Sequence, residues 1–79
     1  MLNESLFPAV MAELCGDSIS CQDGVISVRC RNAVYLISLT RDDKFLVEAT
    51  NWSHETFMSC GYHLEGAIDE ARAQVLAAR

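Results

Sequence analysis

The residues best suited to chemistry lie together between Asn51 and His63, in the run NWSHETFMSCGYH. This run holds both histidines of the chain, its single tryptophan and one of its four cysteines. His54, Cys60 and His63 form the spacing H-x5-C-x2-H, and its last part resembles half of a zinc knuckle. A structural zinc site needs four ligands, usually as two close pairs, and the sequence has no second pair. These three residues are therefore weak metal candidates, and we expect no metal or other cofactor.

Cys60 beside a histidine is also the pattern of a nucleophile with its base. A reactive cysteine needs a cationic neighbour or a helix N-terminus to favour its thiolate. Gly61 and Tyr62 separate Cys60 from the helix predicted to follow. Neither an acidic residue that orients a histidine nor an oxyanion hole is identifiable. We therefore predict that the protein is not an enzyme.

The remaining cysteines are Cys15, Cys21 and Cys30, which with Cys60 give an even count. Such a count in a short secreted chain is typical of a disulfide framework. However, no basic-then-apolar signal pattern and no apolar run of ~20 residues is present, so we expect a cytoplasmic protein that does not enter membranes. Free thiols are the expected state in a reducing cytosol. A small metal- or thiol-binding protein remains the second alternative function.

Length and charge restrict the classes of function. The 79 residues predict one small domain over 1–79, and 51% hydrophobic residues disfavour disorder. The net charge of −5 argues against nucleic-acid binding, for which a basic face supplies most of the affinity. An acidic surface suits solubility or a basic protein partner. We therefore expect a protein partner and no nucleic acid.

Apolar spacing predicts the elements that position these residues. A helix is expected over Ser5 to Gly16, with Ser5 as N-cap, Pro8 in the first turn and Gly16 as the stop. Its apolar residues recur at intervals of three and four and so form one stripe. They are Phe7, Val10, Met11 and Leu14.

The dipeptide Asp23-Gly24 is a strong type I′ turn signal between two alternating runs. It predicts a hairpin over 18–31 in which a two-residue loop pairs Ile19 with Val28. Cross-strand partners share one face of a sheet, so both residues are expected in the core.

Two further turns extend the predicted sheet. Arg31-Asn32 forms a two-residue turn into a third strand, and 40–44 forms a turn into a fourth. A three-residue loop at the latter places Phe45 and Val47 in the core. A two-residue loop would bury Glu48 without a partner, which is costly, so we choose three residues.

The final helix is predicted over His63 to Ala78, with Arg79 favourably placed at its C-terminal end. Its apolar stripe consists of Leu64, Ala67, Ile68, Ala71, Val75 and Leu76. The expected fold is α+β in the order α-β-β-β-β-α, an antiparallel four-stranded meander with the C-terminal helix packed on one face. The N-terminal helix lies alongside it or on the other face. Whether Thr56–Ser59 forms a strand is left open.

The second face of this sheet is unusually apolar. Its expected residues include Val25, Val34, Leu36 and Leu46. A solvated face does not normally carry four aliphatic residues, so the N-terminal helix or another chain must cover it. Another chain would be a protein partner or, alternatively, a second copy in a homodimer.

The aromatic residues Trp52, Phe57 and Tyr62 allow two interpretations. They either close the end of the small core, where they bury much area, or face a partner if Trp52 is solvent-accessible. The partner-binding candidates are therefore Val34, Leu36, Leu46, Trp52, Phe57 and Tyr62.

No family resemblance is identified. The element order contains the α-β-β-β-α of double-stranded RNA-binding domains, but the last helix lacks a basic start and the chain is acidic. In size and charge alone, the chain resembles phage-encoded inhibitors such as anti-CRISPR proteins.

The leading hypothesis is a small interaction or regulatory protein that binds or occludes a protein partner, of the kind that phages and mobile elements encode. A homo-oligomeric accessory module is the first alternative.

Overall fold

The computed structural model describes residues 1–78 and is an α+β structure with an antiparallel sheet. A short 3-10 turn over Glu4–Leu6 leads into helix α1. The elements are α1 Phe7–Leu14, β1 Ser18–Gln22, β2 Val25–Arg29, β3 Ala33–Leu39, β4 Phe45–Asn51, β5 Thr56–Gly61 and α2 Leu64–Ala77. The sheet order β1-β2-β3-β4-β5 follows the chain, so the sheet is a meander.

The first hairpin confirms the register predicted from its turn. Asp23 and Gly24 have φ values of 54° and 77°, the two positive values that a type I′ turn requires. Ile19 pairs with Val28 as expected. The pairing Val28–Tyr35 then confirms the second two-residue turn. The turn at Asp23-Gly24 and the apolar alternation of the strands therefore predicted the register of three strands.

The third turn confirms the loop chosen to keep Glu48 out of the core. Thr40 N donates to Lys44 O at 2.9 Å, which leaves three residues between them. Val47 is completely buried on the core side, and Phe45 packs against the core at its edge. Glu48 lies on the opposite side of the sheet, paired with Leu36.

The predicted four-stranded sheet is wrong, because β5 adds a fifth strand over Thr56–Gly61. This strand pairs with β4 in continuous register from Thr50–Thr56 to Phe45–Gly61. Its buried Ser59 donates from Oγ to the carbonyl of Ala67 in α2. Ser59 therefore faces the helix layer, which a simple apolar pattern does not predict.

The N-terminal helix lies alongside α2, on the same face of the sheet. Its buried residues Val10 and Leu14 join one core with Ile68 of α2 and Ile26 of β2. Arg72 of α2 donates to the main-chain carbonyl of Glu13 in α1. Of the two predicted positions, the one alongside the C-terminal helix is therefore the observed one.

The start of the N-terminal helical segment differs from the prediction. Asn3, and not Ser5, caps it, because the Asn3 side chain accepts from Ser5 N at 2.9 Å. In α2 the apolar stripe is also shorter than expected, since Leu76 is 46% exposed. The contribution expected of Arg79 to the end of α2 lies outside the described residues. Within residues 1–78, no helix has the length and apolar character needed to cross a membrane.

Candidate protein-binding face

One face of the sheet, here called the outer face, is not covered by either helix. It is formed by alternate residues of all five strands, as the pairing requires. Its members are Ser18, Ser20, Gln22, Val25, Ser27, Arg29, Val34, Leu36, Ser38, Leu46, Glu48, Thr50, Thr56, Met58 and Cys60.

Helix α1 does not cover the outer face, although it was one of the two covers expected. The end of α1 is held on the core side, where Cys30 Sγ lies 3.7 Å from Leu14 O. The chain after α1 passes directly over Val28, a core residue. The apolar residues of the outer face therefore stay exposed or half-buried within the described chain.

The centre of the outer face is a row of paired residues that crosses the whole sheet. Leu36 pairs with Glu48, and Glu48 pairs with Met58. Leu36 is 39% exposed and Met58 is 53% exposed. Side chains directly opposite on neighbouring strands lie about 5 Å apart, so the two apolar groups flank the Glu48 carboxylate.

The two halves of the outer face differ in height. On the β4–β5 half, Glu48 and Met58 of the central row have long side chains. On the β1–β2 half, Ser20 and Ser27 occupy the same row and have short side chains. A depression of about 410 Å³ lies on this half, lined by Ser20, Gln22, Asp23, Val25, Ser27 and Leu36. The face therefore combines a raised half with a hollow half.

Trp52 and Arg29 mark one end of the outer face. Trp52 is 52% exposed, and its Nε1 donates to the carbonyl of Arg31 at 2.6 Å. The Arg29 guanidinium carbon lies 5.3 Å from the centroid of the Trp52 ring, which is within cation–π range. Trp52 is therefore an exposed aromatic with a fixed position, and not a plug of the core.

Tyr62 and Lys44 mark the opposite end. They continue the outward alternation of Cys60 and Leu46, and Lys44 Nζ lies 5.2 Å from the Tyr62 ring centroid. Tyr62 is 64% exposed. Each end of the face thus carries one aromatic ring together with one cation.

Glu48 is the single acid among the strand residues of the outer face. It lies in the middle of β4 and is half-buried. Both ion pairs within residues 1–78 involve Arg72 on the helix side. The Glu48 carboxylate is therefore available to a cation from another chain.

The predicted partner-binding residues separate into two groups. Val34, Leu36 and Leu46 lie on the outer face, with Trp52 and Tyr62 at its ends. Phe57 pairs with Ala49 on the other side of the sheet and packs against the core. Phe57 is therefore not part of this surface.

The weak metal and nucleophile candidates do not converge. His54 lies in the turn before β5, whereas Cys60 lies near the other end of that strand. The strand separates them by roughly 16–20 Å at ~3.3 Å per residue. His63 precedes α2 beyond Cys60. Among residues 1–78, no three His, Cys, Asp or Glu side chains come close enough to share a metal ion.

The cysteines are all free, and they differ in exposure. Cys30 is buried, whereas Cys15 and Cys60 are exposed. Burial raises the pKa of the Cys30 thiol, and the nearby Asp17 and Cys15 raise it further. Cys30 is thus held as a neutral thiol, which makes it a poor nucleophile.

Met58 is the main member of the face that sequence reasoning did not identify. The strand β5 presents Met58 and Cys60 outward and Phe57 and Ser59 inward, so apolar residues lie on both of its faces and their pattern does not indicate its orientation. The usable signal was the open apolar face of β4 beside it.

Comparisons with protein-family models, curated proteins and solved structures find no match to this chain.

Proposed function

We propose that this protein is a non-enzymatic interaction protein that binds and occludes a protein partner through its outer face. The observation that carries the proposal is the absence of any cover over Leu36, Met58 and the neighbouring aliphatic residues within the described chain. Contiguous exposed apolar surface on a small protein marks an interaction site. Occlusion of this kind fits a small inhibitor, and the analogy with anti-CRISPR proteins stays one of size and charge.

The aromatic residues at the ends of the face, together with Met58 and Arg29, are of the types enriched in protein interfaces. Leu36 and Met58 flank Glu48 at its centre, while Trp52 and Tyr62 at the ends belong to the types that dominate binding energy. Complete burial of a Leu or Met side chain stabilises by about 1.5–3 kcal/mol. The exposed fractions, 39% for Leu36 and 53% for Met58, therefore contribute about 0.6–1.2 and about 0.8–1.6 kcal/mol respectively. Association costs roughly 4–15 kcal/mol in lost freedom, so the aromatic ends must also be engaged.

The face is also rigid, which lowers the cost of binding. Its central residues project from three adjacent hydrogen-bonded strands, β3, β4 and β5. The ring of Trp52 is held by both Arg29 and the carbonyl of Arg31. Side chains that are already fixed lose little conformational entropy when a partner is bound.

The test compares two leucines of similar exposure on opposite layers. Leu36 is 39% exposed on the outer face, and Leu76 is 46% exposed on α2. Immobilised wild type, Leu36→Asp and Leu76→Asp are each used to capture partners from a lysate, with quantitative mass spectrometry as the readout. We expect Leu36→Asp to lose the captured partner at least tenfold, as for a hot-spot residue, and Leu76→Asp to keep it.

Circular dichroism establishes first that both variants are folded. Capture of the same partner by Leu36→Asp at the wild-type level would contradict the proposal. Once a partner is purified, the fluorescence of the single Trp52 gives a second readout at the end of the face. A shift of its emission to shorter wavelength on addition of the partner is the expected result.

A further inference from the structure

We infer that the outer face is self-complementary and that a second copy of this chain occupies it in a two-fold dimer. The inference uses the same face as the proposed function and describes its regulation. Because one face serves both contacts, the dimer must separate before another partner is bound.

The symmetry follows from the pairing of the strands. Two copies packed face to face are related by a two-fold axis that lies in the plane of contact. When this axis runs along β3, the central strand, β2 of one copy faces β4 of the other and β1 faces β5. Leu36 then meets Leu36 of the second copy at the centre of the interface.

The shapes of the two halves match under this symmetry. Ser20, Ser27, Leu36, Glu48 and Met58 form one continuous row across the five strands. The two-fold rotation reverses this row about Leu36 and so places the exposed Met58 of each copy opposite Ser20 of the other. Ser20 lines the depression of about 410 Å³, so the raised half of one copy enters the hollow half of its mate.

The charges match under the same symmetry. Arg29 pairs with Val34 and Val34 pairs with Thr50, so Arg29 of one copy faces Thr50 of the other. Glu48 is the next outward residue along β4, about 7 Å from Thr50 and within reach of an arginine side chain. The dimer thus contains two Arg29–Glu48 contacts. The Glu48 carboxylates of the two copies do not face each other.

The second cation of the face also finds an acid. Lys44 lies beyond Leu46 at the end of β4, and Asp23 lies at the corresponding end of β2, on the rim of the depression. The two-fold axis brings Lys44 of one copy to Asp23 of the other. All four charged contacts therefore join opposite signs.

The acidity of the helix layer does not oppose this arrangement. The acids Glu13, Glu65, Asp69 and Glu70 belong to the helix layer, on the far side of each sheet. In a face-to-face dimer the two helix layers are separated by both sheets, which is more than the Debye length of about 8 Å in physiological salt. Repulsion between them is therefore largely screened.

The area of the face is small for a permanent dimer. It extends about 26 Å along β4, from Lys44 to Trp52, and about 19 Å across five strands, which is roughly 500 Å² for each copy. The total of roughly 1,000 Å² is at the lower limit for specific interfaces. The dimer is therefore concentration-dependent and not permanent.

The test uses charge reversal on the full chain, measured by light scattering over a wide concentration range. Wild type is expected to change from one chain to two as its concentration rises. Arg29→Glu and Glu48→Arg should each raise the dissociation constant at least tenfold, because each places like charges together. Mixed in equal amounts, the two variants should associate again, since every contact then joins opposite charges.

Glu70→Arg is the control, because it makes the same chemical change on an exposed residue of the helix layer. This variant is expected to dimerise as the wild type does. A wild type that stays a single chain at all concentrations would overturn the inference, as would charge reversals that behave like the control. In that case, the loss of a captured partner in Leu36→Asp would still support the proposed function. The two proposals can therefore fail independently.

Discussion

Gly16 shows how one residue can have a different role from the one its type suggests. The sequence predicts that it ends the first helix through its free backbone conformation. In the structure Cys15 takes the left-handed conformation instead, with φ 48°. A Cβ atom on Gly16 would lie 2.5 Å from Val28 Cγ1 and 2.9 Å from Arg29 O. Glycine is therefore required at position 16 because a side chain would have no room there.

Two glycine-to-alanine variants test this explanation. Gly16→Ala should lower the free energy of unfolding by about 1–3 kcal/mol, because its methyl group collides with a fully buried valine. Gly66→Ala should raise it by about 0.5–1 kcal/mol, because Gly66 is helical and a Cβ there meets nothing within 4 Å. Urea denaturation measures both values. Equal effects of the two changes would contradict the steric explanation.

Among the elements, the hairpins were predictable and β5 was not. The turn Asp23-Gly24 fixes a two-residue loop, and a one-residue slip would move every apolar residue to the wrong face. β5 has no such signal, since Ser59 faces inward while Met58 faces outward. Its position depends on contacts with α2 that a local pattern does not contain. The sequence therefore did not predict the part of the outer face that β5 contributes, including Met58.

Ser59 provides a test of how β5 is held to α2. Removal of its hydroxyl in Ser59→Ala should cost about 0.5–1.5 kcal/mol of unfolding free energy, because a buried hydrogen bond to the Ala67 carbonyl is lost. Ser53→Ala is the matched control in an exposed turn and should change stability by less than about 0.5 kcal/mol. Thermal or urea unfolding gives both values. An effect of Ser59→Ala as small as that of the control would show that this bond does not stabilise β5.

At the scale of the whole molecule, the position of α1 was the feature that sequence could not fix. Its apolar stripe indicates which side of the helix is buried but not which face of the sheet receives it. In the structure α1 packs beside α2, because Val10 and Leu14 share one core with Ile68. Arg72 also donates to the Glu13 carbonyl and pairs with Asp69 at 2.6 Å. This choice leaves the outer face open, so the candidate site depends on a contact between the two ends of the chain.

The same contact predicts a pH dependence of stability. A hydrogen bond with Asp69 raises the pKa of Glu13 above its ordinary value of 4.5, with further contributions from burial and from the charges of Asp69 and Glu65, while Arg72 opposes the shift. A carboxyl whose pKa is raised by folding stabilises the protein below its ordinary pKa. That stability is lost as the pH rises through the raised value.

Glu13→Gln should therefore be more stable than wild type near neutral pH. The difference should disappear at a pH well below 4.5, where Glu13 is protonated in both the folded and the unfolded chain. Urea midpoints at the two pH values measure the effect. Glu70→Gln, in the same helix but exposed, is the control. A loss of stability at neutral pH in Glu13→Gln would mean that its 3.8 Å contact with Arg72 outweighs the repulsion from Asp69.

The meander order of the sheet has a consequence for how the chain reaches this structure. Every strand pairs with the strand next to it in the chain, across connections of two to five residues. Closing such short loops costs little chain entropy, and topologies rich in local contacts fold quickly. The contact between Glu13 and Arg72 is the opposite case, since it joins residues 59 positions apart. Chain connectivity therefore favours early assembly of the sheet, including its exposed outer face. The packing of the two helices brings together the residues that are farthest apart in the sequence, so it is expected later.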